Sequence, residues 1–196
     1  MSDNIAVFID RDGTITKEVG YVNHPSRLEL LPNSAEAISL LNRYGLKAIV
    51  TTNQAGVARG YFPEHRIHET HQRLTELLNK SGAHLDAIYY CPHHPHAGDN
   101  PQYHRDCNCR KPNPGMLLQA KDDFDLDLAK CYVIGDKISD VEVAHRVKAK
   151  GIFVLTGYGL GSYEYDRASW PVEPDHISED LLYAVQWIIS DLEHSR

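Results

Sequence analysis

The sequence has no apolar run approaching the ~18 residues that a membrane-spanning helix needs. It also lacks a basic excess. The formal net charge is -7, which argues against a duplex nucleic-acid binder, since that would need a basic stripe. A local positive pocket for a phosphorylated small molecule remains compatible with this balance. The opening stretch "MSDNIAVFID" has neither a basic n-region nor a long apolar centre, so no secretory signal is expected there. These absences point to the cytoplasm, where thiols stay reduced. Cysteine is sparse, at 4 residues, and in that compartment such thiols suggest metal or core positions rather than disulfides. Internal repeats, low-complexity tracts and interdomain linkers are missing. No long hydrophobic surface stripe argues for an oligomer, and a monomer is expected.

What is present fits one soluble globular domain spanning residues 1–196, with 42% hydrophobic and 24% charged residues. Five stretches read as buried strands: 5–10, 46–53, 85–91, 130–136 and 151–157. They are continuously apolar rather than alternating. Between and after them lie five helical patterns. Residues 33–44 carry Ala37, Ile38, Leu41 and Tyr44 on one face and end at Gly45; residues 64–80 carry Ile67, Leu74, Leu77 and Leu78 and follow Pro63. Residues 113–124 open on the cap pair Asn113-Pro114. A helix from 139 to about 149 starts with a possible capping box, Ser139 and Glu142, and the last runs over 179–192. Strands alternating with helices predict an α/β fold, a three-layer, Rossmann-like parallel sheet with helices on both faces.

In such sheets ligands bind beyond the carboxyl ends of the strands. Asp10 and Asp12 sit at one such end, Thr52 and Asn53 at the second, Cys91 at the third and Asp136 at the fourth. Two carboxylates that close repel unless a cation intervenes. Magnesium takes oxygen ligands and is held by one or two protein carboxylates. Side-chain oxygens of Asp10 and Asp136 and a backbone carbonyl near Asp12 are the expected ligands.

The stretches "DRDGT" (10–14), "TTN" (51–53), "RKP" (110–112) and "GDKISD" (135–140) resemble, in order and over nearly the whole chain, the four motifs of the haloacid dehalogenase superfamily of phosphohydrolases. Within it, "CPHHP", "CNCRKPNPGML" and "NQAGVARG" resemble the D,D-heptose 1,7-bisphosphate phosphatases; the first two regions are similar to the histidinol-phosphate phosphatase domain as well. Asp10 is suited to attack phosphorus and form an aspartyl-phosphate. Asp12 is suited to protonate the leaving sugar oxygen and later to activate water. A hydroxyl from Thr52, an amide from Asn53 and the charge of Lys111 would stabilise the transferring phosphoryl oxygens. Asp140 could orient the metal shell, or do no more than favour the start of its helix.

A second signal is Cys91-x-His93 followed, after thirteen residues, by Cys107-x-Cys109. Three thiolates and one imidazole match a closed tetrahedral zinc site. The intervening loop is polar and could not order itself by burial, so a zinc staple is expected. By type His94, His96 and His104 compete; His93 is preferred for its spacing and because its position matches the resembled pattern. Cys131 reads as core.

Only about forty residues separate Asp10 from Thr52, too few for a cap domain, and the stretch after Thr52 leaves no room for one. Loops should therefore contact the substrate. The resemblance implies that Glu18, Val19, Gly20 and Tyr21, with Asn53, Gln54 and Ala55, line a sugar site. Arg110 offers a fork for a second phosphate or hydroxyls, and Lys137 lies near. Arg59 is a weaker candidate. "TGYGLGSYEYD" (156–166) reads as a surface loop or a lip over the site. The expected activity is removal of the 7-phosphate from a heptose 1,7-bisphosphate. The alternatives are histidinol-phosphate hydrolysis, phosphotransfer to another acceptor, and a non-enzymatic zinc-dependent binding module.

Overall fold

The computed structural model describes residues 4–194. The chain runs β1 (Ala6–Ile9), α1 (Ser34–Arg43), β2 (Lys47–Asn53), α2 (His65–Lys80), β3 (Ala87–Cys91), α3 (Gly115–Phe124), β4 (Tyr132–Gly135), α4 (Ile138–Arg146), β5 (Lys150–Val154), α5 (Gly159–Tyr165), β6 (His176–Ser178) and α6 (Leu181–His194). The six strands form one parallel sheet in the order β3-β2-β1-β4-β5-β6.

The pleat of β1 explains the three layers. Successive side chains of a strand point to opposite faces. Val7 and Ile9 join a cluster containing Ile38 and Leu41 of α1, Leu74 of α2, and Val185 and Ile188 of α6. Ala6 and Phe8 join Met116, Leu117 and Ala120 of α3 and Val143 and Ala144 of α4 on the other face. A strand buried on both sides has to be apolar throughout, as the sequence is. Burying each such side chain stabilises the fold by about 1.5–3 kcal/mol before entropy is subtracted.

Several expectations shift. There is a sixth strand, at the sheet edge beside β5. It is three residues long, too short to show a pattern against its polar neighbours. The stretch 156–166 is largely helical, as α5, rather than a loop. Asn113 does not cap α3: its side-chain amide donates to the Cys107 carbonyl at 2.8 Å, and the helix opens at Gly115. At α4 the Ser139–Glu142 box is replaced by Asp140, whose carboxylate accepts from the Lys137 amide at 3.3 Å. Between β1 and α1 the described chain forms only isolated bridges and one short turn of 3-10 helix, and no inserted domain covers the rim. No described helix is long and apolar enough to cross a membrane.

Candidate active site

The carboxyl ends of β1, β2 and β4 are adjacent in the sheet, and their following residues share one rim. Asp10 is fixed there by its amide, which donates to the Ile134 carbonyl at 2.9 Å. Gly13 then turns the chain with φ 86, and a Cβ at that position would lie 2.1 Å from Asp136 Oδ2. Both the backbone angle and the close approach require glycine.

Asp10, Asp136 and Asp140 are all buried, and each offers a carboxylate oxygen within 4.8 Å of the others. Lys111, 4% exposed, reaches into this trio. Its ammonium lies 3.1 Å from Asp10 Oδ1 and 2.5 Å from Asp140 Oδ1, and donates to the Thr51 carbonyl at 2.7 Å. Burial would favour neutral lysine, but Asp10 and Asp140 outweigh it and raise its pKa. The carboxyls respond in kind. Burial pushes Asp136 up to about 7, opposed by Lys137 and reinforced by Asp10. Burial pushes Asp140 up to about 6, opposed chiefly by Lys111. Lys111 among the three carboxylates, with Lys137 3.9 Å from Asp136, still leaves the group one positive charge short. Asp136 shows where: Oδ2 accepts from the Tyr158 amide at 2.8 Å, while the buried Oδ1 has no hydrogen-bond partner. An orphaned, buried carboxylate oxygen beside Asp10 suits a hard divalent cation.

Asp12 faces elsewhere. Its carboxylate is gripped by the neighbouring Arg11, with Nη2 at 2.6 Å from Oδ2 and Nε at 2.9 Å from Oδ1. Gln54 donates to Oδ2 at 2.9 Å and Thr16 to Oδ1 at 3.3 Å. Burial raises the Asp12 pKa, but Arg11 and the Gln54 amide hold it below the usual carboxylate value. The Asp12 side chain is thus outside the acidic trio, and only its backbone remains for a metal. The same Gln54 amide donates to Thr52 Oγ1 at 2.9 Å.

Asn53 departs from a purely substrate-facing role. Its side chain brackets the Lys111 backbone, donating to the carbonyl at 3.1 Å and accepting from the amide at 3.0 Å. It therefore locks the loop bearing Lys111 onto the end of β2.

A cleft of about 300 Å³ opens over these groups. Glu18, Gly20, Tyr21, Asn53, Gln54, Ala55, Arg110 and Lys137 all line it, together with Asp10, Asp12, Thr52 and Lys111. Val19 does not line it and points to solvent, 36% exposed. Lys137 sits 3.4 Å from Glu18 and 3.9 Å from Asp136, over the Tyr158 ring. Its pKa is raised: Asp10, Asp136 and Glu18 outweigh burial.

Beside the cleft, Cys91, His93, Cys107 and Cys109 bring one donor each within 4.8 Å of the others. The Cys91 sulfur is 3.5 Å from Cys107 and 3.1 Å from Cys109, and His93 Nδ1 is 3.3 Å from Cys109. Hydrogen bonds from Cys91, His93 and Cys107 pull the Cys109 thiol down to about 5 against the effect of burial. Three sulfurs and an imidazole at these separations fit a tetrahedral zinc ion. None of the competing histidines joins the cluster: His94 contacts Arg59, His104 donates to the Pro95 carbonyl, and His96 is not among the converging donors. Cys131 is buried in the core, where it accepts from the Ala6 amide. The Arg110 guanidinium donates to the His93 carbonyl, so the cysteine loop and the cleft share a wall.

Sequence reasoning missed Arg11 and His71. Arg11 is fully buried, and its Nη1 donates to His71 Nε2 at 3.2 Å. Both had a legible signal. Arg11 lies inside the first motif, against a buried strand. His71 falls on the face of α2 shared by Ile67, Leu74 and Leu78. A polar group in either place needs a partner.

A parallel α/β sheet whose rim carries an acidic trio, a buried lysine and a second aspartate beside the first defines a phosphomonoester hydrolase of the haloacid dehalogenase type. The HAD-hydrolase-like family profile matches residues 108–184. A D-glycero-D-manno-heptose-1,7-bisphosphate 7-phosphatase of Thermosynechococcus vestitus is 43% identical over 95% of this chain and 96% of its own. The D-glycero-beta-D-manno-heptose-1,7-bisphosphate 7-phosphatase of Escherichia coli K12 is 39% identical over 84% of this chain and 86% of its own. The crystal structure of the D,D-heptose 1,7-bisphosphate phosphatase from B. bronchiseptica, complexed with magnesium and phosphate, superposes with a TM-score of 0.82 at 29% identity, covering 96% of this chain and 99% of that one. The chain belongs to the haloacid dehalogenase superfamily of phosphatases, within its heptose 1,7-bisphosphate 7-phosphatase family.

Proposed function

We propose that the protein removes the 7-phosphate of a D-glycero-D-manno-heptose 1,7-bisphosphate through an aspartyl-phosphate on Asp10. The observation that carries the reading is the buried trio of Asp10, Asp136 and Asp140 with Lys111 among them and one buried Asp136 oxygen that receives no hydrogen bond, its nearest cation being Lys137 at 3.9 Å. Asp10, Asp136 and the Asp12 carbonyl would hold magnesium. When bound, that ion supplies the missing positive charge, relieving carboxylate repulsion and offsetting charge on the phosphoryl oxygens.

The chain's own groups account for the rest. An Asp10 oxygen attacks phosphorus as the bond to the sugar oxygen breaks. Lys111, with a hydroxyl from Thr52, faces the equatorial oxygens, where preorganised donors act most strongly. Asp12 protonates the departing sugar oxygen; water then enters along the same line, and Asp12 takes its proton as the Asp10–phosphate bond opens. Such proton transfer contributes roughly 10²–10⁴-fold. In the free protein the Arg11 pairing holds Asp12 ionised, so its proton is taken up with the substrate, and donating that proton to the sugar oxygen leaves Asp12 ionised as the base for the second step. An arriving phosphate adds negative charge beside it and favours the protonated form that the first step needs.

Glu18, Gly20, Tyr21, Gln54, Ala55, Arg110 and Lys137, which line the cleft, are the sugar contacts in this reading, with Arg110 and Lys137 the cations available to a second phosphate. Cys91, His93, Cys107 and Cys109 hold a structural zinc: with four protein ligands no position is left open for catalysis. The reading places a monomer in the cytoplasm, where its thiols stay reduced.

Phosphate release from heptose 1,7-bisphosphate and from histidinol phosphate, measured side by side with magnesium, tests this assignment. The heptose is expected to be favoured in kcat/KM, and Asp10→Asn to abolish turnover. Higher efficiency on histidinol phosphate overturns the substrate, and retained turnover in Asp10→Asn overturns the nucleophile.

A further inference from the structure

The fully buried guanidinium of Arg11 does not line the cleft. A buried cation needs a complete set of partners, and here they are specific. Two of its nitrogens hold both oxygens of Asp12 in a fork, Nη2 also donates to Gln54 Oε1 at 3.0 Å, and Nη1 donates to His71 Nε2. Gln54 closes the ring, because its amide nitrogen donates back to Asp12.

Arginine has only donors, so His71 Nε2 must be the acceptor and its ring must be neutral. Burial and the Arg11 charge hold the His71 pKa down to about 3, consistent with that neutral ring. Groups from β3 and α2 frame the site: Tyr90 of β3 packs edge-on against His71 of α2, and its hydroxyl contacts His68 of α2 and Glu64 just before that helix. His71 is thus held by a helix rather than a loop, and rigid elements position a site more tightly than loops do.

We propose that His71 and Arg11 are positioning residues for the proton-transferring carboxylate, His71 acting on Asp12 only through the guanidinium. The fork, with Gln54 and Thr16, holds both oxygens of Asp12 in place at the wall of the cleft. Without the His71 acceptor, Arg11 keeps its charge but loses the contact that fixes the far side of its plane. Asp12 then swings. This inference rests on the phosphatase reading above, and its test is arranged to separate the two.

The readout is leaving-group dependence. A sugar alkoxide is a poor leaving group and needs a proton from Asp12, whereas p-nitrophenolate departs as a stable anion and does not. Because kcat/KM includes only steps up to departure of the first product, it isolates the proton donation. The comparison uses the full chain with magnesium and zinc, assayed on heptose 1,7-bisphosphate and p-nitrophenyl phosphate. His71→Leu is expected to lower kcat/KM for the heptose about 10- to 100-fold, the scale of an ångström-sized misplacement, with little change for the aryl ester. His71→Gln, which restores an acceptor, should recover most of the loss. Arg11→Lys, with a cation but no fork, should behave like His71→Leu. If His71→Leu lowers both substrates equally, or neither, the positioning role is wrong. If His71→Leu does not fold, the His71→Gln and Arg11→Lys ratios decide in the same way. If the unmodified protein hydrolyses neither ester, the phosphatase reading falls and this inference with it.

Discussion

Replacing Lys111 with methionine tests whether charge balance holds the site together. The side chains are similar in length, so packing changes little and the lost quantity is the ammonium. Lys111 lies 3.1 Å from Asp10 and 2.5 Å from Asp140, and all three are buried. At an effective dielectric constant of about 20, each contact is worth roughly 5–7 kcal/mol of gross attraction. Much of that is offset by no longer desolvating an ammonium, and removing one partner of a buried pair costs about 3–5 kcal/mol in practice. The penalty depends on pH. Asp136 and Asp140 already have folded-state values raised to about 7 and about 6, above their unfolded values. Carboxyls raised in this way are neutral, and impose no charge penalty, below the unfolded pKa. Their cost appears as pH climbs through the folded pKa, and without Lys111 the Asp140 value rises further. Lys111→Met should therefore be nearly as stable as the parent at pH 4–5 and much less stable at pH 8. Urea unfolding without added magnesium measures it: with a slope of about 2–3 kcal/mol/M, the midpoint at pH 8 should drop by about 1–2.5 M. Millimolar magnesium should restore part of the loss, since a dication shares the same carboxylates. A midpoint at pH 8 within about 0.3 M of the parent, which that slope makes less than about 1 kcal/mol, would refute the charge-balance argument.

Gly13→Ala places a methyl 2.1 Å from Asp136 Oδ2 at a φ of 86. It should weaken magnesium binding, read by titration calorimetry, at least tenfold while the protein still folds; unchanged affinity would remove Asp136 from the metal site. Purified in reducing buffer, the protein should contain one zinc per chain by elemental analysis. Removing that zinc with a strong chelator should raise KM for the bisphosphate and lower thermal stability, and a zinc-free preparation with unchanged KM would show that the cysteine loop orders itself.

Much of this site was legible because chain topology does the placing. A buried parallel strand must be apolar on both faces, so β1, β2 and β4 declare themselves, and the polar residues after them fall on one rim. Asp10, Thr52 and Asp136 needed nothing more. The cysteine cluster was legible for a different reason: a polar loop carrying four soft donors has few other ways to become ordered. Asp140 was read as a helix-start or metal-shell residue; it does accept from the Lys137 amide at the start of α4, and its pairing with Lys111 was not foreseen. Asn53 was read as offering its backbone amide to the phosphoryl group and lining the sugar site; it does line the cleft, and the fastening of the Lys111 backbone by its side chain was not foreseen. Strand β6 and helix α5 were missed, one being too short to show a period and the other rich in glycine and tyrosine.

The amino-acid order by itself determines the alternation of strand and helix and the rim on which the acidic residues gather, since each follows from local burial and spacing, and it offers the three cysteines with several histidines as candidate zinc donors. Only the tertiary structure decides which charge meets which. Lys111 comes from a loop sixty positions beyond Thr51 to settle among the acids, and His71 comes sixty positions beyond Arg11 to receive its guanidinium. Those pairings depend on packing between distant segments, and in a low-dielectric interior they set which carboxylate is neutral, which is ionised and where each one points.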